Sequence, residues 1–355
     1  GTSTPKSPRA TITPSAASMM SSKFSTASAH EFAAYGVALL SSIGVDAVVF
    51  GSECGQIEIL KQAAYALNHE SAEFQERLRK GLKAGLTYPQ ARAKALEMED
   101  TWASVLSSPN NILGIEYLRA AEDLHSPMEF YTISRKGSGY HEDTLADANF
   151  PSASAIRGII RNSLSKDKDL LDILASHLPA VTHPAYTGAV PVFVDDFSEL
   201  LNAAVLQLQA TFSIADLSPE LAARLAKPPY FPLSFEERIQ ALKTRQLTYT
   251  RVSRALLHLV LGMREEDISR WKEEGYALYA RILGFRRQSS PLLSCLHKKS
   301  SIPLITKMAD AAQNLSPSAL ALLEQEVYAS HLYQTVRMKR SGVFQNEYTE
   351  GLVFV

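Results

Sequence analysis

Apolar residues occur in two patterns along the chain, and these patterns predict its secondary structure. Short apolar runs at residues 47–50 and 129–133 are typical of buried strands, because they are brief, rich in β-branched or aromatic residues and followed by turns. Apolar residues that recur every three or four positions predict helices over residues 32–43, 57–67, 71–82, 88–106 and 112–124, and another from residue 152. A strand, a tight turn and a helix form half of a βαβ unit, so this part is predicted to be α/β with a parallel sheet.

Beyond residue 165 the helical period is almost uninterrupted. Predicted helices cover residues 197–211, 216–226, 234–244, 250–263, 265–283 and 316–330. A short apolar run at residues 190–194 has no neighbouring run that could pair with it as a strand. The expected organisation is therefore an α/β domain over residues 30–165, followed by a helical domain over residues 166–355.

The first 29 residues differ in composition from the rest of the chain. They are rich in Ser, Thr, Ala and Pro, and the first acidic residue is Glu31. Such a segment cannot bury a core, so we expect it to be flexible unless other parts of the chain hold it. Its Ser-rich, basic character resembles a transit peptide, and a segment that is not native to the protein explains it at least as well.

The overall composition is that of an ordinary soluble globular protein with room for two domains. Hydrophobic residues make up 46% and charged residues 21% of the 355 residues. No apolar run approaches the roughly 18 residues that a membrane-spanning helix needs, so no membrane partner is expected. The two cysteines, Cys54 and Cys295, do not suggest a disulfide framework and favour a reducing, cytoplasmic location.

The net charge of −1 hides an uneven distribution. Residues 221–300, called the basic segment below, contain 15 Lys or Arg against 7 Asp or Glu. An excess of positive charge on a nearly neutral chain is consistent with a polyanionic partner, and equally with a solvated helical surface. The candidates for phosphate contacts are Arg251, Arg254 and His258, which share one face of a predicted helix, and Arg286 and Arg287 after a Gly-Phe turn.

Two segments place polar groups where open parallel sheets bind ligands, at the ends of strands and the starts of helices. Gly51 follows the first predicted strand and would let backbone approach a ligand, although a simple turn glycine explains it equally well. Asn110 and Asn111 lie beside a helix start, where Asn is also a common cap or turn residue.

A third segment combines two cations with a serine-rich helix start. Arg135 and Lys136 follow the second predicted strand, and Ser152, Ser154 and Arg157 lie in the first turn of a helix. Hydroxyls, free N–H groups and a guanidinium suit phosphate oxygens, although a plain surface charge also explains the arginine. No catalytic residue and no metal site is predicted from the sequence.

Four segments with a distinctive wording occur in a fixed order. They are Phe-Gly-Ser-Glu at 50–53, Pro-Asn-Asn-Ile-Leu-Gly-Ile-Glu-Tyr at 109–117, Arg-Lys-Gly-Ser-Gly-Tyr-His at 135–141 and Ser-Ala-Ser-Ala-Ile-Arg at 152–157. Together with the helix at 248–262 and the segment at 279–285, they resemble the tRNA(Met) cytidine acetate ligase family. The resemblance covers roughly residues 24–355, and its most specific parts are the Asn-Asn-Ile-Leu-Gly segment and the Arg-Lys-Gly loop.

The resemblance implies a nucleotidyltransferase-like α/β domain of the HUP or Rossmann-like type, followed by an all-helical, tRNA-binding domain. It implies that acetate attacks the α-phosphate of ATP, bound with Mg²⁺, to give acetyl-adenylate. The N4 amine of the wobble cytidine of elongator tRNA-Met then takes the acetyl group. The expected nucleotide-binding residues are Gly51, Asn110, Asn111, Arg135, Lys136, Ser152, Ser154 and Arg157, and the expected RNA-binding residues are Arg251, Arg254, His258, Arg286 and Arg287.

One departure from the family pattern keeps other functions open. The family begins with a strand and a His-x-Gly-His motif, which in related nucleotidyltransferases contacts the phosphates, and neither that motif nor the family's Gln-Arg-Gly loop occurs in the 355 residues. The resemblance therefore implies a parallel sheet that is incomplete at its N-terminal end. A catalytically incomplete tRNA-binding protein of the same family, and a small-molecule nucleotidyltransferase, are the alternatives. The basic segment favours the two RNA-directed functions, and the missing motif favours the catalytically incomplete one.

Overall fold

The structure is a computed structural model that describes residues 22–86, 91, 94–95, 105–135, 153–163, 170–187, 189–208, 213–227 and 232–354. Its helices are α1 (Ser22–Ser25), α2 (Ala29–Ser42), α3 (Ile57–Asn68), α4 (Ala72–Lys83), α5 (Pro109–Asp123), α6 (Ala153–Ser163), α7 (Leu170–Leu174), α8 (Ser198–Gln207), α9 (Pro219–Leu225), α10 (Phe235–Leu242), α11 (Tyr249–Leu261), α12 (Glu265–Glu273), α13 (Ser290–Lys299), α14 (Ala311–Asn314) and α15 (Pro317–Ser341). Its strands are β1 (Ala47–Ser52), β2 (Glu129–Ser134), β3 (Ala280–Arg281), β4 (Gly284–Phe285), β5 (Leu304–Ile305) and β6 (Val353–Phe354).

The two predicted strands form a parallel pair, as expected. β1 pairs with β2 in a register that runs from Ala47 opposite Glu129 to Ser52 opposite Ser134. One face of this pair packs on α5, where a Cβ on Gly114 would lie only 2.3 Å from the Phe50 ring. That close approach requires glycine at position 114, because any larger residue would push the helix away from the strand. The predicted α/β character of this part is confirmed.

Helix α2 joins this α/β part to the C-terminal part of the chain. One side of α2, including Ala33 and Val37, packs into a core with α3, α5 and β2. Its other side, including Tyr35 and Leu39, packs into a second core with residues from 271 to 327. The first helix of the predicted α/β domain therefore belongs to both cores, and the division into residues 30–165 and 166–355 stays a prediction.

Residues 22–29 differ from the flexible segment predicted over residues 1–29. Phe24 is 1% exposed. Its ring stacks on Tyr35 with centroids 4.6 Å apart. Ser28 caps α2, since its hydroxyl accepts the backbone N–H of Glu31. The apolar Phe24 explains the difference, because it supplies buried area that the composition of the segment as a whole does not suggest. Residues 1–21 lie outside the described part of the chain.

The predicted helix over residues 265–283 is wrong in its second half. α12 ends at Glu273, and Gly275 and Tyr276 follow with positive φ angles of 101° and 67°, which a continuing helix cannot contain. Beyond them the chain forms two short parallel pairs, β3 with β5 and β4 with β6. These pairings join segments 24 and 69 residues apart, counted from the first residues paired, so the local apolar period could not show them.

The remaining helices agree with the sequence pattern to within a few residues at most ends. Thr248 and Ser234 cap α11 and α10, and Gly262 ends α11 in the left-handed conformation, as such residues do at helix termini. The last predicted helix runs further than expected, to Ser341. Most of the helix predicted over residues 88–106 lies outside the described residues. In the part of the chain that the structure describes, no helix has both the length and the apolar character needed to cross a membrane.

Candidate functional site

The loop that follows β1, residues 51–55, is called the strand-end loop below, and it is held in place by its neighbours. The Ser52 hydroxyl accepts the backbone N–H of Gly55 at 3.0 Å and lies 2.7 Å from the hydroxyl of Thr132 on β2. Gly55 has a φ of 63°, and a Cβ there would lie 2.6 Å from the Cβ of Ser134. The tight turn therefore requires glycine, and the loop stays close to the end of β2.

The carboxylate of Glu53 closes the N-terminus of α5. It accepts the backbone N–H groups of Asn110 at 3.2 Å and Asn111 at 2.9 Å, and the Asn110 side-chain amide at 2.6 Å. Partial burial of the Glu53 carboxylate raises its pKa, but these hydrogen bonds outweigh that effect, so the net result is a lowered pKa. Two of the free N–H groups at this helix start, which the sequence suggested for an anion, are bonded to Glu53.

Three of the predicted nucleotide-binding residues lie together at the carboxyl end of the parallel strands. Arg135 directly follows β2, and its Nη1 donates to the Asn110 side-chain oxygen at 3.2 Å. Gly51 lies beneath the same side chain, since a Cβ there would sit 3.3 Å from Cγ of Arg135. Arg135 is exposed, so a solvent-facing guanidinium stands at the strand ends. Lys136 lies outside the described residues.

Asn111, expected at the nucleotide, is buried instead, with 2% of its surface exposed. Its side-chain oxygen accepts the backbone N–H of Cys54 at 3.1 Å. Asn111 thus ties α5 to the strand-end loop, and the contact that the structure gives it is structural. Asn111 would therefore affect nucleotide binding only indirectly, by fixing the position of the strand-end loop.

The serine-rich helix start is not joined to these residues by any contact of its two described members. On α6, Nη2 of Arg157 donates to the Ser154 hydroxyl at 3.3 Å. The Arg161 guanidinium of the same helix lies 5.5 Å from the ring centre of Phe193, in the helical part. Between described residues, no hydrogen bond or ion pair links Ser154 or Arg157 to Gly51, Asn110 or Arg135. Ser152 lies outside the described residues.

The predicted basic face of α11 is only partly open to a partner. Arg251 is exposed. Arg254, by contrast, makes a two-pronged ion pair with Asp216, with N–O distances of 2.8 and 3.0 Å. Burial of the Asp216 carboxylate raises its pKa, but the Arg254 guanidinium outweighs this, and the pKa is lowered. The charge of Arg254 is therefore largely neutralised within the protein.

His258 lies inside the protein, where the sequence placed it on the basic face with the two arginines. It is 1% exposed. Its Nδ1 lies 3.2 Å from the carbonyl oxygen of Ala215, which can only accept, so Nδ1 carries the proton. Its Nε2 lies 3.2 Å from the Thr26 hydroxyl. Burial lowers the pKa of His258 despite the nearby Asp216 carboxylate. The expectation that this side chain adds a surface cation is not met, because every residue of α11 from Ala255 to Leu261 except Leu257 is buried.

Arg286 and Arg287 are both exposed, and neither makes an ion pair with another described residue. The guanidinium of Arg287 lies 5.5 Å from the ring centre of Phe354. The sequence did not single out Phe354, because its partner Arg287 lies 67 positions away, and no local pattern joins them. Glu53 was also missed as a structural residue, although it stands inside a quoted segment.

Comparison with known proteins shows similarity over most of the chain. The model of the HIGH Nucleotidyl Transferase family matches residues 21–347. The tRNA(Met) cytidine acetate ligase of Acetivibrio thermocellus is 33% identical over 344 residues, which span 93% of this chain and 82% of that protein. The enzyme of the same name from Clostridium novyi is 36% identical over 289 residues, 79% of this chain and 71% of that protein.

Solved structures with the same fold are also known. The apo crystal structure of Thermotoga maritima TmcAL superposes with a TM-score of 0.78 at 24% identity, covering 94% of this chain and 84% of that one. The crystal structure of the same protein bound with alpha-thio ATP gives a TM-score of 0.77 and covers 83% of that chain. The nucleotidyltransferase-like fold expected from the sequence is confirmed, and the chain belongs to the tRNA(Met) cytidine acetate ligase family, a group of ligases with the HIGH nucleotidyltransferase fold.

Proposed function

We propose that the protein is an ATP-dependent acetate ligase that forms N4-acetylcytidine at the wobble position of elongator tRNA-Met. The observation that carries the proposal is the group of Gly51, Asn110 and Arg135 at the carboxyl end of two parallel strands. Nucleotides bind at this edge of open α/β sheets. Membership in a family whose curated members are named for this reaction supports the same conclusion.

The proposed reaction has two steps. A carboxylate oxygen of acetate forms a bond to the α-phosphorus of ATP, the bond to the β-phosphate oxygen breaks, and pyrophosphate leaves. The N4 amine of the cytidine then attacks the acetyl carbon of acetyl-adenylate, AMP leaves, and the amine loses a proton. Negative charge builds on the phosphate oxygens in the first step, and a fixed cation such as Arg135 stabilises that charge.

Positioning falls to the residues around Arg135. Asn110 orients the guanidinium, Glu53 holds Asn110 and the start of α5, and Asn111 holds the strand-end loop. Gly51 leaves room for the Arg135 side chain to lie close to the backbone at the strand end. Lys136, Ser152, Ser154 and Arg157 are proposed to complete the phosphate contacts. Mg²⁺ would be held by the triphosphate and would neutralise part of its charge. The described residues include no group of three His, Cys, Asp or Glu that could hold the ion.

For the tRNA we propose contacts from the exposed cations Arg251, Arg286 and Arg287, which lie in the basic segment. Arg254 and His258 are assigned a structural part, since their polar groups are engaged with Asp216, Ala215 and Thr26. Phosphate contacts by such cations supply most of the affinity of a protein for RNA that does not depend on sequence.

One alternative has a specific observation behind it. Because no His-x-Gly-His motif occurs in the 355 residues, a chain that binds tRNA without completing the chemistry is the second candidate. A small-molecule nucleotidyltransferase is disfavoured by the excess of 15 cations over 7 acidic residues in the basic segment.

Both candidates are tested with the full chain, ATP, isotopically labelled acetate and tRNA-Met transcript. The nucleosides are analysed by mass spectrometry, and acetate-dependent exchange of pyrophosphate into ATP is measured in parallel. Labelled N4-acetylcytidine together with acetate-dependent exchange supports the ligase. Tight tRNA binding without labelled N4-acetylcytidine and without acetate-dependent exchange supports the catalytically incomplete alternative. Pyrophosphate exchange that depends on another small acid, in a protein that does not bind tRNA, contradicts both candidates.

A further inference from the structure

We propose that Phe354 and Arg287 form a stacking platform for an unpaired base of the bound RNA. This inference rests on the proposed function and specifies which part of the RNA binds to this surface. The pair combines an aromatic ring that is 52% exposed with a guanidinium 5.5 Å from its centre. Unpaired nucleotides are recognised by such surfaces, because every base has a flat π-face that stacks on aromatic rings and guanidinium planes.

The ring of Phe354 is held in place by its backbone. β6 pairs with β4, with Val353 opposite Gly284 and Phe354 opposite Phe285, and the Val353 N–H donates to the Leu283 carbonyl at 3.0 Å. A Cβ at Gly284 would lie 2.5 Å from the Val353 carbonyl oxygen, so the close pairing requires this glycine. The Phe285 ring meets that of Phe354 edge to face at 5.1 Å. An exposed ring so held loses little conformational freedom when a base stacks on it.

A second attachment fixes the segment that leads to Phe354. Glu347 pairs with Arg281 of β3 at 2.8 Å, and its backbone N–H donates to Nε2 of His331 on α15 at 3.1 Å. Partial burial raises the pKa of Glu347, but the hydrogen bond from Ser330 and the ion pair with Arg281 outweigh burial, so the pKa is lowered and the carboxylate stays charged. The segment is thus anchored at Glu347 and again at β6.

Charge around the platform fits a polyanion. From Gly275 to Ala309 the sequence contains six Lys or Arg and no Asp or Glu. Two of these six cations are paired with carboxylates outside this range, Arg281 with Glu347 and Lys299 with Asp46. Arg286 and Arg287 are exposed and make no ion pair with described residues. A neutral peptide partner would not need such a field, whereas a nucleic acid strand needs both cations for phosphates and flat surfaces for bases. The wobble cytidine must be unpaired for N4 to be reached, so the partner is the single-stranded loop of the RNA.

The test measures fluorescence anisotropy of two labelled RNAs. One is a hairpin that carries the anticodon loop of tRNA-Met, and the other is a fully paired duplex of equal length. Phe354→Leu keeps apolar volume and loses the π-face, so it should weaken hairpin binding by about tenfold, within the range for one stacked base. Phe354→Tyr should bind like the parent chain. Tyr65→Leu, at an exposed aromatic on α3, is the matched control and should also be neutral.

Each outcome decides one question. Equal hairpin affinity for the parent and Phe354→Leu, or an equal loss on hairpin and duplex, overturns the platform while leaving the proposed function standing. A parent chain that binds neither RNA contradicts the RNA part of the proposed function itself. Arg287→Lys provides a second variant with an intact ring. It keeps the charge and loses the guanidinium plane, so it should weaken hairpin binding more than duplex binding.

Discussion

The carboxylate of Glu53 lies 2.6 Å from the side-chain amide nitrogen of Asn110, whose oxygen in turn accepts from Arg135. Through Asn110, a residue at the end of β1 sets the position of a guanidinium at the end of β2. The same carboxylate closes the N-terminus of α5, so strand ends and helix start form one connected unit. A change at Glu53 should therefore affect both stability and the candidate nucleotide site.

The first prediction concerns this unit. Replacing Glu53 with Ala should lower the free energy of unfolding by about 0.5–2 kcal/mol, the cost of losing a helix-capping acceptor. Because the pKa of Glu53 is lowered in the folded state, its contribution is present above the usual value of 4.5 and is lost as the pH falls through the folded pKa. Urea unfolding as a function of pH measures both effects. Glu58→Ala on α3 serves as the control, and equal stability of the two variants would contradict the capping role.

The second prediction separates two kinds of contribution to ATP binding. Arg135→Ala should weaken ATP binding by about tenfold or more without changing stability, because an exposed charge-assisted contact of about 1.5–3 kcal/mol is lost. Asn111→Ala should also weaken binding, and in addition should lower the free energy of unfolding, because its buried oxygen holds Cys54. Isothermal titration calorimetry and urea unfolding are the measurements.

The control for these variants is Arg79→Ala, at an exposed arginine on α4. It should leave both ATP affinity and stability unchanged. If Arg135→Ala and Arg79→Ala bind ATP equally well, Arg135 is not a nucleotide contact. If Asn111→Ala keeps parental stability, its bond to the strand-end loop contributes nothing measurable.

The third prediction concerns the salt dependence of tRNA binding. Each phosphate contact releases counterions, so affinity should fall steeply with salt. Arg286→Ala/Arg287→Ala should flatten the slope of log affinity against log salt by about one for each contact removed, and Arg251→Ala should do so by about one. Arg254→Ala should leave the slope nearly unchanged, because its guanidinium is bound to Asp216. Identical slopes for all variants would mean that the basic segment is only a solvated surface.

The fourth prediction is a pH dependence of stability that originates at His258. Burial lowers its pKa from the usual 6.5, so the unfolded chain binds a proton more readily than the folded one. The stability that the neutral imidazole contributes is therefore present above pH 6.5 and lost as the pH falls from 6.5 toward the folded pKa. Urea unfolding between about pH 5 and 8 should show this decline. In His258→Asn, which cannot titrate in this range, the decline should be absent.

The pKa of a second histidine, His30, is shifted in the opposite direction, so its effect on stability must be distinguished from that of His258. The hydrogen bond to Glu116 raises the pKa of His30, although burial opposes the shift. Its stabilisation is full below 6.5 and is lost as the pH rises through the raised pKa. His30→Gln should therefore remove a loss of stability on the alkaline side and leave the acid-side decline intact. An acid-side decline that persists in His258→Asn would assign it to another group.

The sequence by itself determined the local elements, because their causes are local. The apolar runs at 47–50 and 129–133 became β1 and β2, since a strand needs little more than a short apolar run ended by turns. The expectation that both strands are buried is wrong for one face of the pair, where Val49, Tyr131 and Ile133 are exposed. The helices α4, α10 and α11 begin within one residue of the predicted positions, and the structure shows the local cause: the hydroxyls of Ser71, Ser234 and Thr248 accept N–H groups three residues ahead. The resemblance to the family could also be recognised from the sequence, because it depends only on the wording of four segments and their order along the chain.

Only the tertiary structure decided what depends on distant partners. His258 has the spacing of a surface cation, yet Thr26 and Ala215, 232 and 43 residues away, enclose it. Asn111 has the sequence position of a ligand contact, yet it is buried and its side-chain oxygen accepts the backbone N–H of Cys54. The pairing of Arg287 with Phe354 has the same origin. Helical and strand periods report the faces of an element, whereas burial, charge neutralisation and stacking are set by which other elements fold against those faces.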